Sequence, residues 1–189
     1  MSDSGGRDRA RDRTIPDHDL TPEELAERHR RRAERRARGE AFVECGCGNK
    51  HWGLLGAAGI VAWRPADAPR RSEPEVLLQL RVSWSHQGGT WAVPGGAINR
   101  GETAWEGAVR EFAEEAGFAA LREPSGSHVL RHPDWSYTTF VAEVADPNVE
   151  ILPNTESEQL QWVPLSEVGE FDLMPPFREA LPDLLALIH

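Results

Sequence analysis

An α/β (α+β) sandwich is the fold class that the sequence predicts, and three observations predict it. Short apolar, β-prone runs recur at 57–63 (AAGIVAW), 75–82 (EVLLQLRV), 136–144 (SYTTFVAEV) and 158–165 (EQLQWVPL). A strongly patterned helix stands among them, over Ala104 to Ala116. A second helix, over 177–188, closes the chain with Leu181, Leu184, Leu185 and Ile188 on one apolar stripe. Strands on either side of one helix, with another at the end, require a layered arrangement that buries the apolar faces.

Bulk properties bound the function. At 189 residues the chain suits one domain with some length left for tails, and 39% hydrophobic residues with seven tryptophans supply a core. No apolar run approaches the roughly 20 residues of a membrane span. The opening MSDSGGRDRARDR has no apolar segment of the kind a secretory signal needs, so a cytoplasmic location with no membrane partner is expected. Net charge is −10 and uneven: residues 1–40 carry 11 Arg against 10 acids, and the other 149 residues carry 10 basic against 21 acidic side chains. An acidic body argues against duplex nucleic acid, whose phosphates need a basic surface. It leaves room for a small phosphorylated ligand whose charge a bound metal neutralises. Cys45 and Cys47, the only cysteines, are too close for a disulfide framework and agree with a reducing compartment.

Residues 1–19 are charged, show no apolar period and read as a disordered tail. The stretch 20–40 is a charged, Arg-rich helix: Thr21 caps it, Pro22 occupies its first position, Glu24 completes a capping box and Gly39 stops it. With Leu25 and a few alanines as its apolar content, it is expected on the surface. It reads as a solvated face, or else as an arm for homodimerisation or RNA contact. Residues 41–53 form a Cys/His-containing linker, and the Pro-rich 64–74 a long exposed loop between two strands. Pro182 predicts a break or a late start in the last helix.

The helix at 104–116 carries the chemistry. Thr103 with Glu106 forms a capping box, and Gly117 is placed for the left-handed residue after the last turn. At 100° per residue Trp105, Val109, Phe112 and Ala116 fall within about 60° of one another and form the buried stripe. Glu111, Glu114 and Glu115 cluster on a different side. Two of them sit in the last turn, where the helix dipole disfavours an acid by roughly 0.3–1 kcal/mol. Only Arg110, four residues before Glu114, offsets them locally. Clustered carboxylates in an unfavourable position fit oxygen ligands for a hard divalent cation such as Mg²⁺ or Mn²⁺. Upstream, WAVPGGAINRGE allows a tight loop close to a ligand and delivers Glu102 to the helix start.

The pattern of these residues is Gly96, five residues, Glu102, seven residues, Arg110-Glu111, an apolar residue, any residue, Glu114-Glu115, any residue, Gly117 and an apolar residue. It resembles the complete 23-residue signature of the Nudix hydrolases, with no departure at any specified position. The resemblance implies a Nudix domain over 54–189: an α/β/α sandwich with a mixed sheet, here preceded by the charged helix. It further implies a Mg²⁺-dependent enzyme that hydrolyses a nucleoside diphosphate linked to another moiety. By similarity, Glu111, Glu114 and Glu115 would bind metal with the carbonyl of Gly96. Arg110 would orient the carboxylates and Glu102 would brace it. The proton of the attacking water would pass to a box carboxylate such as Glu114, or to one from another loop. Glu156 and Glu158 are candidates for the latter, or else ordinary loop acids.

Substrate cues are weaker. Arg81 ends its strand where similar enzymes often face the phosphates; a plain surface arginine is the alternative. Trp84 and His86 could touch a base or phosphate, although tryptophan more often packs. Pro133 resembles a mark of the ADP-ribose branch and Tyr137 a mark of the dinucleoside polyphosphate branch, so neither decides. A (d)NTP or related nucleotide is the favoured substrate. A non-catalytic nucleotide-sensing regulator of the same fold is the competing class, and three intact metal carboxylates speak against it. Cys45, Cys47 and His51 offer three ligands toward a Zn²⁺ site, with His29 and His132 as completions; the alternative is an unliganded loop.

Overall fold

The run AAGIVAW is apolar at every position because its strand is buried on both faces, and the rest of the molecule is arranged around it. In the computed structural model, which describes residues 15–67, 70–83, 88–152 and 157–189, this strand is β3 (Ala57–Arg64). It pairs in parallel with β8 (Trp135–Glu143), Ile60 opposite Phe140. Antiparallel to β8 lies β7 (Gly126–His132), with Leu130 opposite Tyr137. On its other side β3 meets two different strands. Its first half, Ala57–Gly59, pairs with the short β6 (Gly95–Ala97). Its last two residues, Trp63 and Arg64, pair with Val76 and Glu75 of β4 (Glu75–Arg81). Beyond β4 lie β5 (Trp91–Ala92) and β9 (Ser157–Pro164), both antiparallel to it. The sheet is therefore mixed, and it opens between β3 and β4 on the side where β6 enters.

Alternation along β3 assigns each face to a layer. Ala58, Ile60 and Ala62 pack with Ala108, Phe112 and Ala116 of the central helix α2 (Ala104–Ala116). Val61 and Trp63 pack with Phe177, Ala180 and Leu184 of α3 (Pro175–Leu185). This is the expected α/β/α sandwich with a mixed sheet.

Several local expectations shift. α3 starts at Pro175 and runs through Pro182 for another three residues, instead of breaking there. Its N-terminal prolines sit in the first turn, where a missing N–H costs nothing. The buried stripe of α2 is rotated from the predicted one: Ala108 and Glu115 are buried, whereas Trp105 and Val109 are half-buried at the border of the core. The helix leans on β3, whose small residues admit Ala108 close to the sheet. β5, β6 and β7 were not legible as strands. Two of them are only two and three residues long.

Before the sandwich comes α1 (Pro22–Arg38), with the predicted Thr21–Glu24 capping box in place. Most of α1 is exposed, but its N-terminal half and its C-terminal end are tied down. Arg28 is buried against Asp17, donating Nη1 to Asp17 Oδ1 at 2.7 Å. At the other end Arg100 donates its backbone N–H to Arg38 O at 2.8 Å and its Nε to Ala37 O at 3.0 Å. The expected linker 41–53 is a β-hairpin, β1 (Phe42–Glu44) paired with β2 (Lys50–Trp52). Most of the expected tail, residues 1–14, lies outside the described residues, as do Trp84, His86 and Glu156. Within the expected exposed loop, Arg71 is buried, with its Nε donating to Pro65 O at 3.1 Å.

Candidate active site

The opening of the sheet leaves the loop 95–103 facing α2, and Arg110 ties the two together. Its Nε donates to Glu102 Oε1 at 2.7 Å and its Nη2 to Glu102 Oε2 at 3.0 Å, a bidentate pair. Nη2 also reaches Ala97 O at 2.9 Å, and Nη1 reaches Glu111 Oε1 at 2.8 Å. The predicted Arg110–Glu114 approach is looser, at 3.7 Å. Glu102 in turn accepts the backbone N–H of Asn99 at 2.9 Å. The Arg110 hydrogen bonds hold the Glu102 carboxyl below its ordinary range, more than burial raises it. The same carboxylate pushes Arg110 upward.

A pH consequence follows with a definite sign. A carboxyl whose folded pKa is depressed stabilises the fold above its unfolded value, and that contribution is lost as pH falls through the folded value. Glu102→Gln is expected to lower Tm at neutral pH. The difference from the unsubstituted protein should shrink once pH drops below the ordinary glutamate value of about 4.3. Thermal melts across pH 2.5–7 (roughly the range that spans both states) check this; a pH-independent difference would contradict it.

The three clustered glutamates differ in exposure, and the helix turn sets the order. Glu115 points toward the sheet, is 5% exposed and accepts the Gly95 N–H at 2.9 Å. Glu111 is 16% exposed at its side chain and Glu114 49%. Sequence reasoning placed all three away from the packing stripe, whereas Glu115 belongs to its edge. Gly96 faces Glu111 so closely that an added Cβ would fall on the carboxylate, 2.6 and 2.7 Å from its two oxygens. A side chain at 96 and a carboxylate at that point exclude each other. Gly117 holds φ +82°, the left-handed cap the sequence predicts.

Around these groups is a cavity of about 1010 Å³, with Gly95, Gly96, Glu111, Glu114 and Glu115 among its walls. Arg81 enters from the end of β4, and its buried Nε has no hydrogen-bond partner among the described residues. Tyr137 places its hydroxyl against the backbone of Gly59 and Gly95. Burial raises that hydroxyl well above its ordinary value, against the opposing pull of Arg81 and with lesser pushes from Glu115 and Glu111, so it stays protonated. Glu158 is not among the cavity walls; it is exposed on β9 and accepts the Ser83 N–H at 2.8 Å. Part of the outer wall comes from residues that the sequence did not place at the site: Arg35 and Arg38 from the last turn of α1, read as a solvated face or a dimerisation or RNA-contacting arm, and Phe42, Lys50 and Trp52 from the hairpin. The density of cations and aromatics over 35–52 was the available signal. Cys45, Cys47 and His51 also converge, their ligand atoms all within 4.8 Å of one another. His29, exposed on α1, is not one of that group.

Fold and site together define a hydrolase that acts on phosphoric anhydrides of nucleotide derivatives. The family model of the NUDIX domain matches residues 56–185. The chain belongs to the Nudix family. A Mycobacterium tuberculosis (strain ATCC 25618 / H37Rv) protein named "Putative 8-oxo-dGTP diphosphatase 3" is 41% identical over 150 residues, covering 75% of this chain and 67% of its own length. A nucleoside triphosphate pyrophosphatase/Nudix hydrolase fusion protein of Bifidobacterium longum is 40% identical over 151 residues, 78% of this chain but 31% of the fusion. Among solved structures, the Nudix hydrolase RenU of M. smegmatis superimposes with a TM-score of 0.66 at 36% identity, covering 79% of this chain and 94% of RenU. Among the described residues no helix is long and apolar enough to cross a membrane.

Proposed function

We propose that this chain is a Mg²⁺- or Mn²⁺-dependent pyrophosphohydrolase of nucleoside triphosphates, with (d)NTPs, oxidised purine forms included, as its substrate class. The observation that carries the reading is the set Glu111, Glu114 and Glu115 gathered beside Gly96 at a cavity large enough for a nucleotide. The donor set fits the metal. It is all hard oxygen, its mutual repulsion calls for a cation, and the one glycine that would otherwise obstruct Glu111 is in place.

Glu111, Glu114 and Glu115 would hold the metal, with the Gly96 carbonyl. When bound, a divalent ion supplies charge stabilisation at the bridging phosphate oxygens and an acidified water. The residues do the rest. Arg110 fixes the Glu111 carboxylate, and Glu102 fixes Arg110, so that the donors are arranged before substrate arrives. Arg81 offers its guanidinium to the phosphates. Glu114, the most exposed of the three, accepts the proton as the water oxygen attacks phosphorus and the anhydride P–O bond breaks, its electrons passing to the leaving phosphate. Glu158, already occupied by the Ser83 N–H, has the weaker claim to that role. Tyr137, protonated beside Glu115, holds the loop side of the cavity in position.

The name of the mycobacterial relative favours an 8-oxo-dGTP-like substrate. A dinucleoside polyphosphate is a second reading, favoured by the size of the cavity and by Arg35, Arg38 and Lys50 on its outer wall, where Glu40 and Glu44 pair with them. Hydrolysis of a panel decides between them: ordinary and oxidised dNTPs, ADP-ribose, nucleotide sugars and dinucleoside polyphosphates, each with Mg²⁺ or Mn²⁺. The expected outcome is a kcat/KM for a dNTP or oxidised dNTP at least about tenfold above the other classes, a margin of 1.4 kcal/mol in transition-state binding. A preference for ADP-ribose or a dinucleoside polyphosphate overturns the substrate assignment. Absence of turnover on the whole panel, with nucleotide binding retained, supports a sensor instead.

A further inference from the structure

We infer that Cys45, Cys47 and His51, completed by His132, form a structural zinc site that fixes the hairpin walling the catalytic cavity. Its ligands are distinct from the carboxylates of α2: Cys45, Cys47 and His51 lie before the residues that match the family model and His132 within them, and His51 and His132 also line the cavity.

The geometry begins with the turn. Cys45 donates its N–H to Asn49 O at 3.0 Å, and Gly48 donates to Cys45 O at 2.9 Å, so the chain folds back within five residues. That reversal brings Cys47 Sγ to 3.2 Å from His51 Nε2 on β2. All three ligand atoms lie within 4.8 Å of one another. Zinc bonds of about 2.3 Å to sulfur and 2.0–2.1 Å to nitrogen set tetrahedral edges of roughly 3.5–3.8 Å, so small side-chain adjustments bring the set onto one ion. Both cysteines are free thiols, one buried and one exposed.

His51 is held in place by its neighbours. Its ring stacks on Trp135, centroids 4.4 Å apart and planes 11° from parallel. On the same strand–turn–strand unit, the His132 ring centroid lies 4.3 Å from that of His51, within reach of the same ion after a side-chain rotation. Charge favours His132 over Asp134 as the fourth ligand. Two thiolates and two neutral imidazoles balance Zn²⁺, whereas a carboxylate would leave the site anionic. Asp134 is in any case engaged, accepting the Gly46 N–H at 2.8 Å and so bracing the turn between the cysteines.

The hairpin has a need for such a clip. Each of its strands is three residues long, and the Phe42–Trp52 pair across it is an edge contact at 5.0 Å with Phe42 exposed. Two-stranded hairpins of this size are marginal in water. Yet Phe42, Lys50 and Trp52 form a cavity wall and must keep their positions for substrate to meet a defined surface. A zinc bond between the turn, β2 and the end of β7 supplies that rigidity, together with the Trp135 Nε1 donation to Trp52 O at 3.0 Å.

The test is elemental analysis of the full chain, purified without a metal-binding tag and dialysed against zinc-free buffer. About one zinc per chain is expected, falling below ~0.1 in the Cys45→Ser/Cys47→Ser double variant, because affinity rests on the thiolates. Replacing zinc with cobalt should give an intense near-ultraviolet thiolate-to-cobalt charge-transfer band, which a carboxylate site cannot produce. His132→Ala should weaken zinc at least about tenfold in a chelator competition, the scale of a lost ligand or of its support. Glu114→Gln should keep its zinc, which separates this site from the hydrolytic one. Wild-type protein that neither contains zinc nor gives the cobalt band overturns the proposal. So does a zinc content that the cysteine substitutions leave unchanged. Unaltered affinity in His132→Ala overturns the fourth-ligand assignment.

Discussion

Glu114→Gln and Glu115→Gln should each lower turnover by more than about 100-fold while leaving the fold intact, the scale of losing a metal ligand or a general base. The reasoning differs for the two. Glu114 is 49% exposed at its side chain and stands 3.7 Å from Arg110, so an amide of the same shape replaces it with little repacking. Removing one of three acids at a helix C-terminus should even stabilise by a few tenths of a kcal/mol, since the dipole and the neighbouring carboxylates both oppose it. Glu115 is buried and accepts the Gly95 N–H, a bond that a glutamine carbonyl can keep. The charge is lost and the shape is retained. Steady-state hydrolysis with Mg²⁺, paired with thermal melts, reads both halves. Near-normal metal-dependent turnover by both variants would remove the proposed site, and a collapse of Tm would mean that the carboxylates serve the fold instead.

Gly96→Ala is expected to cost about 100-fold in kcat with a change in Tm of only a few degrees, the signature of a displaced catalytic group rather than a damaged core. The added Cβ would stand where the Glu111 carboxylate lies, 2.6–2.7 Å from its oxygens. That carboxylate is the far end of a flexible side chain, so it yields and the backbone does not. Moving away, it breaks the 2.8 Å bond from Arg110 Nη1 and leaves the donor set misaligned. Gly96 needs no left-handed conformation, as it lies in the extended β6; the requirement is space alone. Full activity in Gly96→Ala would show that Glu111 does not work from the position seen here.

Much of the site was legible because its residues are neighbours on one helix and its loop. Spacing alone put Glu111, Glu114 and Glu115 within one turn, and Thr103, Glu106 and Gly117 fixed the ends of α2, which runs over the residues expected. What spacing could not settle was how the helix is rolled against the sheet. Intrinsic amphipathicity selected Trp105 and Val109, but the small residues of β3 draw Ala108 inward, and Glu115 follows to the edge of the core. Short strands escaped notice for a related reason. β5 and β6 have no hydrophobic period of their own, and exist through pairing with β4 and β3. α3 passes through Pro182 because burial of Phe177, Ala180 and Leu184 outweighs one lost hydrogen bond.

By itself the sequence determined the reaction class, since the clustered carboxylates proposed to hold metal, the arginine that pairs with Glu111 and the glycine that makes room for it are local, and helix geometry carries them to one face. It also placed β3, β4, β8 and β9 and the three helices in order, through runs of residues long enough to report their own period. The tertiary structure decided the rest. Only packing could bring Arg81 from the end of one strand and Tyr137 from the start of another to the same cavity. Only packing could turn a charged helix and a cysteine-bearing linker into the outer wall of that cavity, because those contacts join residues roughly 60 to 90 positions apart, as in the Arg100–Ala37 and Gly46–Asp134 bonds. Their free energy comes from the assembled fold and leaves no period in the chain.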